Sequence, residues 1–248
     1  MHHQPELGFT NPKVQRLRRL IGRRSSRSEE RAFVVEGRVL IAEAIAAGWS
    51  IESHYVAAGE DPVVDAGPAQ VLAPGVAERV SDLETPSGLF AVVRERPADP
   101  DVLARAEFVL VADRVSEPGN LGTIVRSAEA AGVDAVVVTP GTVDETNPKV
   151  LRSSAGAVFH VAVVRAELEE VAKGGLRLIG TSSHQGVRHT EADWSGRIAI
   201  VAGNEAAGLD ESAPIADWVR IEHRGRAESL NVAMAATVLC FEAVRHRG

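Results

Sequence analysis

The sequence predicts an α/β protein whose C-terminal part is built around a parallel sheet. Six short, almost continuously apolar runs follow residue 106, and such runs suit strands that are buried on both faces of a parallel sheet. Helical segments alternate with several of the runs, as in βαβ units. The predicted strands are Phe108–Ala112, Ala135–Thr139, Val158–Val164, Leu176–Thr181, Ile198–Ala202 and Trp218–Ile221. The clearest predicted helices are Leu121–Ala131 and Leu230–Arg245.

A smaller α/β unit is predicted before this part of the chain. Its helices are Asn11–Ile21 and Val39–Ala47, and its strands are Ala32–Val35, Ile51–Ala57, Ala69–Leu72 and Leu89–Val93. The first helix places its apolar residues on one face, and the polar stretch Arg23–Glu30 after it is expected to be flexible. Residues 94–101 contain two prolines and no apolar periodicity, which is typical of a linker. We therefore expect one domain at 1–98 and a second at 99–248.

The bulk composition excludes several classes of protein. Aromatic residues make up only 4% of the chain, so the core must consist mainly of Ala, Val, Leu and Ile. Cys240 is the single cysteine, which excludes an intramolecular disulfide and a metal held by a cluster of cysteines. The histidines lack metal-ligand spacing, and no apolar run is long enough to cross a bilayer. We expect a cytoplasmic protein without a metal or a membrane partner.

Positive charge is concentrated near the start of the chain, although the net charge is −7. Residues 11–38 contain nine basic and three acidic side chains, and eight of the nine are arginines. Such a run is either a solvated helix face or a surface for phosphates, which arginine binds in a planar, two-pronged geometry. From the charge run alone the two interpretations are about even; an RNA-binding surface here would be formed by Lys13, Arg16, Arg18, Arg19, Arg23, Arg24 and Arg27.

Three separated segments carry polar residues suited to chemistry. The first, 118–132, follows a strand and opens a helix that Asn120 is able to cap. The second, Gly203-Asn204-Glu205, follows a buried strand, and ligands of open α/β sheets bind at the carboxyl ends of strands. The third, Ser229-Leu230-Asn231, precedes the last helix, and Ser229 is a possible N-cap. Each segment taken alone has a capping or turn explanation.

Together and in this order, the three segments resemble the three motifs of the SpoU/TrmH family of RNA ribose 2′-O-methyltransferases, within the SPOUT superfamily. The intervening segment 147–156 also looks like the family. Residues 11–14, 35–37 and 81–88 resemble the substrate-binding domain that these enzymes often carry, which is similar to a small RNA-binding ribosomal protein. The resemblance therefore covers nearly the whole chain.

The resemblance implies a SPOUT domain with a trefoil knot, a homodimer, and S-adenosylmethionine as the cofactor. By position in the motifs, the cofactor contacts would be Thr181, Ser182, Gly203, Asn204, Ile221, Ser229 and Leu230. The catalytic set would be Arg126, Asn120, Glu205, Ser229 and Asn231. A guanidinium is a poor proton acceptor. We therefore expect Arg126 to bind a phosphate and stabilise the developing alkoxide, with Asn120 holding Arg126 or the ribose.

Three readings of the substrate and activity remain open at this point. The appended N-terminal domain and the chain length look more like the ribosomal-RNA enzymes of the family than the minimal transfer-RNA ones. Transfer RNA is the alternative substrate. A catalytically silent RNA-binding protein of the same fold is the alternative class, and the joint presence of Arg126, Glu205 and Asn231 argues against it.

Overall fold

The computed structural model describes residues 6–226 and 229–247, and the chain divides into two compact units. The first unit contains the chain up to Pro97 together with 146–159. The second contains 98–145 and the chain from His160 onwards. The division at 97–98 lies within residues 94–101. Residues 146–159, expected within 99–248, instead belong to the first unit.

The described residues form nine α-helices and eleven strands. The helices are α1 (Pro12–Gly22), α2 (Arg24–Glu30), α3 (Arg38–Ala46), α4 (Val76–Val80), α5 (Val102–Arg105), α6 (Pro118–Ala130), α7 (Pro148–Ser153), α8 (Leu168–Lys173) and α9 (Val232–Arg247). The strands are β1 (Ala32–Glu36), β2 (Ile51–Ala57), β3 (Ala69–Leu72), β4 (Leu89–Arg94), β5 (Phe108–Ala112), β6 (Ala135–Val138), β7 (Ala162–Arg165), β8 (Arg177–Ser182), β9 (Val187–Arg188), β10 (Ile198–Ala202) and β11 (Asp217–Arg220).

The first unit is built on a four-stranded mixed sheet in the order β1-β4-β2-β3. β4 pairs antiparallel with β1 and β2, whereas β2 and β3 are parallel. α1 packs its apolar face on this sheet, because Val14, Leu17 and Leu20 recur on one side of the helix and are fully buried. This amphipathic packing leaves the polar face of α1 in solvent.

The expected flexible stretch Arg23–Glu30 is instead helix α2, so that prediction is wrong. Arg27 is only 6% exposed, and its guanidinium donates to the carbonyls of Leu20 and Ile21 at 2.9 and 3.2 Å. Arg16 of α1 pairs with Glu30, the last residue of α2. Tertiary contacts of this kind stabilise a short polar helix that has little intrinsic tendency to form.

The second unit contains a seven-stranded sheet in the order β7-β6-β5-β10-β8-β11-β9, with all neighbours parallel. β5, β6 and β10 are buried at every residue, as expected for apolar strands covered on both faces. The predicted parallel-sheet α/β fold is confirmed. Because β10, β8 and β11 are adjacent and parallel, their carboxyl ends and the loops that follow lie side by side. The trefoil knot stays a prediction.

Several predicted elements differ in their bounds, and the largest differences are at β7 and at the starts of α6 and α9. The expected strand Val158–Val164 is divided, because Ala157–Phe159 form a 3₁₀ turn of the first unit and β7 begins only at Ala162. The last helix begins at Val232 rather than near Ser229. Among the described residues, none of the helices combines the length and apolar character needed to span a membrane.

Segment 146–159 is fastened to the first unit by polar and aromatic contacts. The Arg152 guanidinium pairs with both carboxylate oxygens of Asp82, at 2.8 and 3.0 Å. The Trp49 indole donates to the carbonyl of Phe159 at 3.0 Å, and their rings meet edge to face, 5.5 Å apart. Phe33 completes the ring cluster. These contacts place the segment in the same folded body as the basic N-terminal helices.

Candidate active site

A cavity of about 610 Å³ opens among the loops that follow β8, β10 and β11. All seven residues predicted to contact a cofactor line it: Thr181, Ser182, Gly203, Asn204, Ile221, Ser229 and Leu230. Apolar side chains of Leu209, Val219 and Leu239 line part of the wall. The cavity therefore lies at the carboxyl ends of parallel strands, where open α/β sheets bind their ligands.

The loop after β10 is held in shape by Asn204. Its side-chain amide donates to the carbonyl of Arg114 at 2.8 Å, and its side-chain oxygen accepts from the amides of Ala206 and Ala207. A Cβ added to Gly203 would lie 2.7 Å from the carbonyl carbon of Gly208, so this position tolerates only glycine. The backbone that approaches Gly203 closely therefore belongs to the same loop.

Glu205 joins this loop to the start of α6. Its carboxylate accepts from the amide and hydroxyl of Ser116, at 3.2 and 3.1 Å, and from the amide of Glu117 at 3.2 Å. The Asn120 side chain donates to it at 2.9 Å. A carboxylate is stabilised at a helix N-terminus, where backbone N–H groups lack partners within the helix.

These hydrogen bonds change the acidity of Glu205. Desolvation by burial raises its pKa, but the bonds from Asn120 and the backbone amides outweigh that effect and lower the pKa to about 2. Glu205 is therefore ionised at neutral pH. It acts here as a fixed anion that organises the loop and the helix, and it is unsuited to accepting a proton.

Asn120 and Asn231 connect the first and third motif segments. The Asn231 amide donates to the side-chain oxygen of Asn120 at 2.9 Å. The Asn231 oxygen accepts from the amides of Ala233 and Met234, so Asn231 is the N-cap of α9, where the sequence suggested Ser229. Asn120 does not cap α6, because that helix already begins at Pro118. The chain of hydrogen bonds Asn231–Asn120–Glu205 unites three predicted catalytic residues.

Arg126 is placed apart from this network. It is exposed on α6, about 9 Å along the helix axis from Asn120. It does not line the cavity, and no hydrogen bond or ion pair joins it to another described residue. The Asn120 amide donates to Glu205, and no hydrogen bond between Asn120 and Arg126 occurs among the described residues, so the expectation that Asn120 holds Arg126 or the ribose stays a prediction. Within the described residues, Arg126 thus presents an exposed guanidinium that is not paired.

The predicted RNA-binding residues of the first unit fall into two groups. Arg27 is buried and Arg16 pairs with Glu30 and Glu52, so we no longer expect these two to contact RNA. Lys13 donates to the Gln70 side chain at 2.6 Å but stays exposed. The exposed arginines of the predicted set are Arg18, Arg19, Arg23 and Arg24.

Sequence reasoning missed some residues of the site. Ser116 holds Glu205, and His184 and His223 line the cavity. Arg114 adopts a left-handed backbone with φ of 54° and contacts the carbonyl of Gly208 at 3.3 Å. Its position directly after a buried strand was the available signal, since ligand-site loops begin there. No group of three potential metal ligands occurs in the part of the chain that the structure describes.

Two family models match the chain, one in each part. Residues 107–241 match the SpoU rRNA Methylase family, and residues 11–91 match the MRM3-like substrate binding domain.

Curated relatives match over nearly the full length. A 23S rRNA (guanosine(2553)-2′-O)-methyltransferase of Bacillus subtilis is 35% identical over 93% of this chain and 95% of its own. A 23S rRNA (uridine(2479)-2′-O)-methyltransferase of Streptomyces viridochromogenes is 31% identical over 96% of this chain and 91% of its own.

Solved structures agree with these relatives. The SpoU methyltransferase AviRb of Streptomyces viridochromogenes, in complex with the cofactor AdoMet, has a TM-score of 0.82 and 29% identity, covering 96% of this chain and 99% of that one. An RNA 2′-O ribose methyltransferase has a TM-score of 0.81 and 33% identity, covering 98% of this chain and 99% of that one.

Proposed function

The chain belongs to the SpoU rRNA methylase family and is an S-adenosylmethionine-dependent RNA 2′-O-methyltransferase, and we propose that its substrate is large-subunit ribosomal RNA. The full-length relatives support this choice, because both are named for 23S rRNA. The observation that carries the site is that all seven residues predicted for the cofactor line one cavity.

The cavity fits S-adenosylmethionine in size and in chemistry. Its volume of about 610 Å³ lies within the usual range for small-molecule sites. Val219, Leu239 and Leu209 offer an apolar wall for a purine, and the polar loop at Thr181 and Ser182 offers groups for the amino-acid end. When bound, this cofactor supplies a methyl group activated by a sulfonium.

The remaining work of the protein is to place the ribose hydroxyl and to stabilise its charge. We assign the Asn231–Asn120–Glu205 network to holding the motif segments in one geometry around the cavity mouth. Such preorganisation contributes to rate because the groups need not rearrange during the reaction. We assign Arg126 to the phosphate beside the reacting ribose, where its charge would stabilise the developing alkoxide.

Arg126 provides the test of this function. We expect Arg126→Ala to lower the methylation of 23S rRNA by about a hundredfold or more, as the loss of an oxyanion-stabilising group does elsewhere. The affinity for S-adenosylmethionine should be unchanged, because Arg126 does not line the cavity. The measurement is transfer of a labelled methyl group, followed by mapping of 2′-O-methylated positions.

Lys173→Ala is the matched control, since Lys173 is an exposed basic residue on α8, outside the three motif segments. It should leave turnover unchanged. Near-normal turnover of Arg126→Ala would show that Arg126 does not stabilise the developing alkoxide. A label found on a base would overturn the proposed reaction, and a label found only on transfer RNA would overturn the proposed substrate.

We further propose that the enzyme is a homodimer formed over α9. Large apolar side chains of Met234, Val238, Phe241 and Val244 recur every three or four residues on this helix and are exposed. α9 packs on α6, where Ser127 and Thr237 share a hydrogen bond of 2.6 Å. Arg126 lies next to Ser127 and outside its own cavity. In such a dimer we expect it to serve the cavity of the partner copy.

A further inference from the structure

The first unit carries an aromatic ring in contact with two arginines that no step of the proposed reaction uses. The guanidinium carbon of Arg79 lies 3.5 Å from the centroid of the Phe9 ring, and that of Arg18 lies 5.6 Å from it. The shorter distance is that of a guanidinium in van der Waals contact with an aromatic face. The cluster combines Phe9, from before α1, with one residue each of α1 and α4.

The ring is fixed in place by its surroundings. Phe9 is partly buried and packs on the core of the first unit. The Gln15 side chain donates to the Phe9 carbonyl at 2.5 Å. Two residues earlier, Leu7 bridges to β3 through backbone hydrogen bonds to Val71 and Ala73. A platform ordered in advance needs little further ordering when a ligand binds.

Neither arginine of the cluster is held by an acidic side chain among the described residues. Arg18 and Arg79 are exposed, and neither makes an ion pair with a residue that the structure describes. Arg16, two residues earlier on α1, is held instead by Glu30 and Glu52. Glu78, beside Arg79 in the sequence, is exposed and makes no ion pair within the same described residues. The cluster is therefore a local excess of positive charge on a protein of net charge −7.

We propose that Phe9, Arg18 and Arg79 form a binding site for one unpaired nucleotide of the RNA substrate. The base stacks on the Arg79 guanidinium, which Phe9 holds flat from below, and the adjacent phosphate is bound by Arg18. Unpaired bases expose a π-face that stacks on aromatic rings and arginine planes, whereas bases in a helix are already stacked. This inference rests on the proposed RNA substrate. It adds where the first unit binds the RNA, and that the RNA is single-stranded at that place.

The test compares variants of the full chain in binding to a single-stranded 12-nucleotide RNA and to a duplex of the same sequence. We expect Arg79→Gln to weaken single-strand binding about tenfold, the loss typical of one stacked base. Duplex binding should change little. Arg79→Lys keeps the charge but not the planar group, so it should lose affinity while the salt dependence stays as in the parent.

Arg18→Gln probes the phosphate contact separately. Each phosphate contact to single-stranded nucleic acid contributes about 0.7 to the slope of log affinity against log salt. We expect this variant to lower the slope by about that amount. Arg96→Gln is the matched control, because Arg96 is exposed and unpaired within the described first unit but contacts no aromatic ring there. It should bind both RNAs like the parent.

Several results would overturn the site. One is that both Arg79→Gln and Arg18→Gln bind single-stranded RNA with the affinity of the parent. Another is that a variant loses as much affinity for duplex RNA as for single-stranded RNA. A third is that a polyglutamate peptide displaces the RNA at a concentration similar to that of the RNA. Methylation assays separate this failure from failure of the proposed function. If only the nucleotide site is wrong, the parent methylates 23S rRNA and Arg79→Gln has an unchanged KM for it. If the function is wrong, the parent itself does not methylate 23S rRNA.

Discussion

Glu205 is the residue on which the candidate site depends most directly. Four donors converge on its carboxylate, from the backbone and hydroxyl before α6 and from the Asn120 side chain. Desolvation by burial raises the pKa of Glu205, but the hydrogen bonds outweigh it and lower the pKa from 4.5 to about 2. The folded state therefore binds its proton more weakly than the unfolded chain does.

The sign of this shift gives a pH-dependent prediction. The contribution to stability is complete above pH 4.5 and is lost as pH falls towards 2. We expect Glu205→Gln to lower the free energy of unfolding at pH 7 by about 1 kcal/mol, a value discounted for the exposure of the side chain. Urea unfolding of the variant and the parent should converge between pH 4.5 and pH 2.

Glu211→Gln serves as the control, because Glu211 is exposed and makes no hydrogen bond or ion pair through its side chain with any described residue. It should unfold like the parent at every pH. A constant difference between Glu205→Gln and the parent down to pH 2 would show that ionisation of Glu205 contributes nothing.

Single residues also mark where sequence reasoning stopped. Arg18 and Arg27 look alike in the sequence, yet one is exposed and the other is buried. The difference arises because Arg27 is enclosed by carbonyls at the end of α1 and by the hydroxyl of Thr146, which is 119 residues away in the chain. Local pattern predicts a charge run but not which member of the run a distant segment will cover.

At the scale of elements, buried strands were predicted well and polar helices were not. The bounds of β2, β3, β5 and β10 match the sequence-based expectations. β5 and β10 are continuous apolar runs bounded by polar residues or glycine, which defines their ends. α2 has no apolar residue to indicate its period. The cofactor loops were located through the family motifs, while the hydrogen bonds among them required the fold.

The exposed face of α9 gives a prediction about assembly. Phe241 and Met234 are about half exposed on this face, and large apolar side chains grouped on one surface indicate an interaction site. We expect Phe241→Glu to produce a monomer, since a charge buried in the interface would have no partner. Sedimentation or light scattering would report the change in mass. Lys173→Ala should keep the parental mass.

Mixed dimers would test whether Arg126 acts across that interface. One chain carries Arg126→Ala, and the other carries Gly203→Ala, whose Cβ would collide with the Gly208 backbone and deform the cavity. If Arg126 serves the partner, one of the two sites retains both an intact cavity and an arginine, and methylation returns. If Arg126 serves its own chain, both sites stay defective and the mixture is inactive.

At the scale of the whole molecule, the two folded units do not follow the linear order of the chain. Segment 146–159 leaves the second unit after Glu145, packs within the first, and returns at His160. The sequence placed 146–159 in the second domain by its position, because the order of residues along a chain does not show which folded unit a short segment packs in. The aromatic contacts of Phe159 with Trp49 and Phe33 decide the matter.

Phe159 allows this assignment to be tested. We expect Phe159→Ala to destabilise the first unit by about 3 kcal/mol, the usual cost of emptying a buried phenylalanine site. Hydrogen exchange should rise in β1 and β2. Phe108→Ala is the matched control, because both rings are 5% exposed and Phe108 lies in the second unit. It should raise exchange in β10 instead. The same exchange pattern for both variants would contradict the assignment.

The excursion at 146–159 also limits how this architecture can be recombined. Consider a chimera that joins residues 1–97 of one relative to the rest of another at the 97–98 junction. Its first unit would combine 1–97 from one protein with 146–159 from the other, and the two parts would not match. A compatible exchange must transplant 146–159 together with 1–97, as two fragments inserted at once. A lineage that changed its RNA target by exchanging this unit would therefore also have had to change 146–159, which lies within the sequence of the catalytic half.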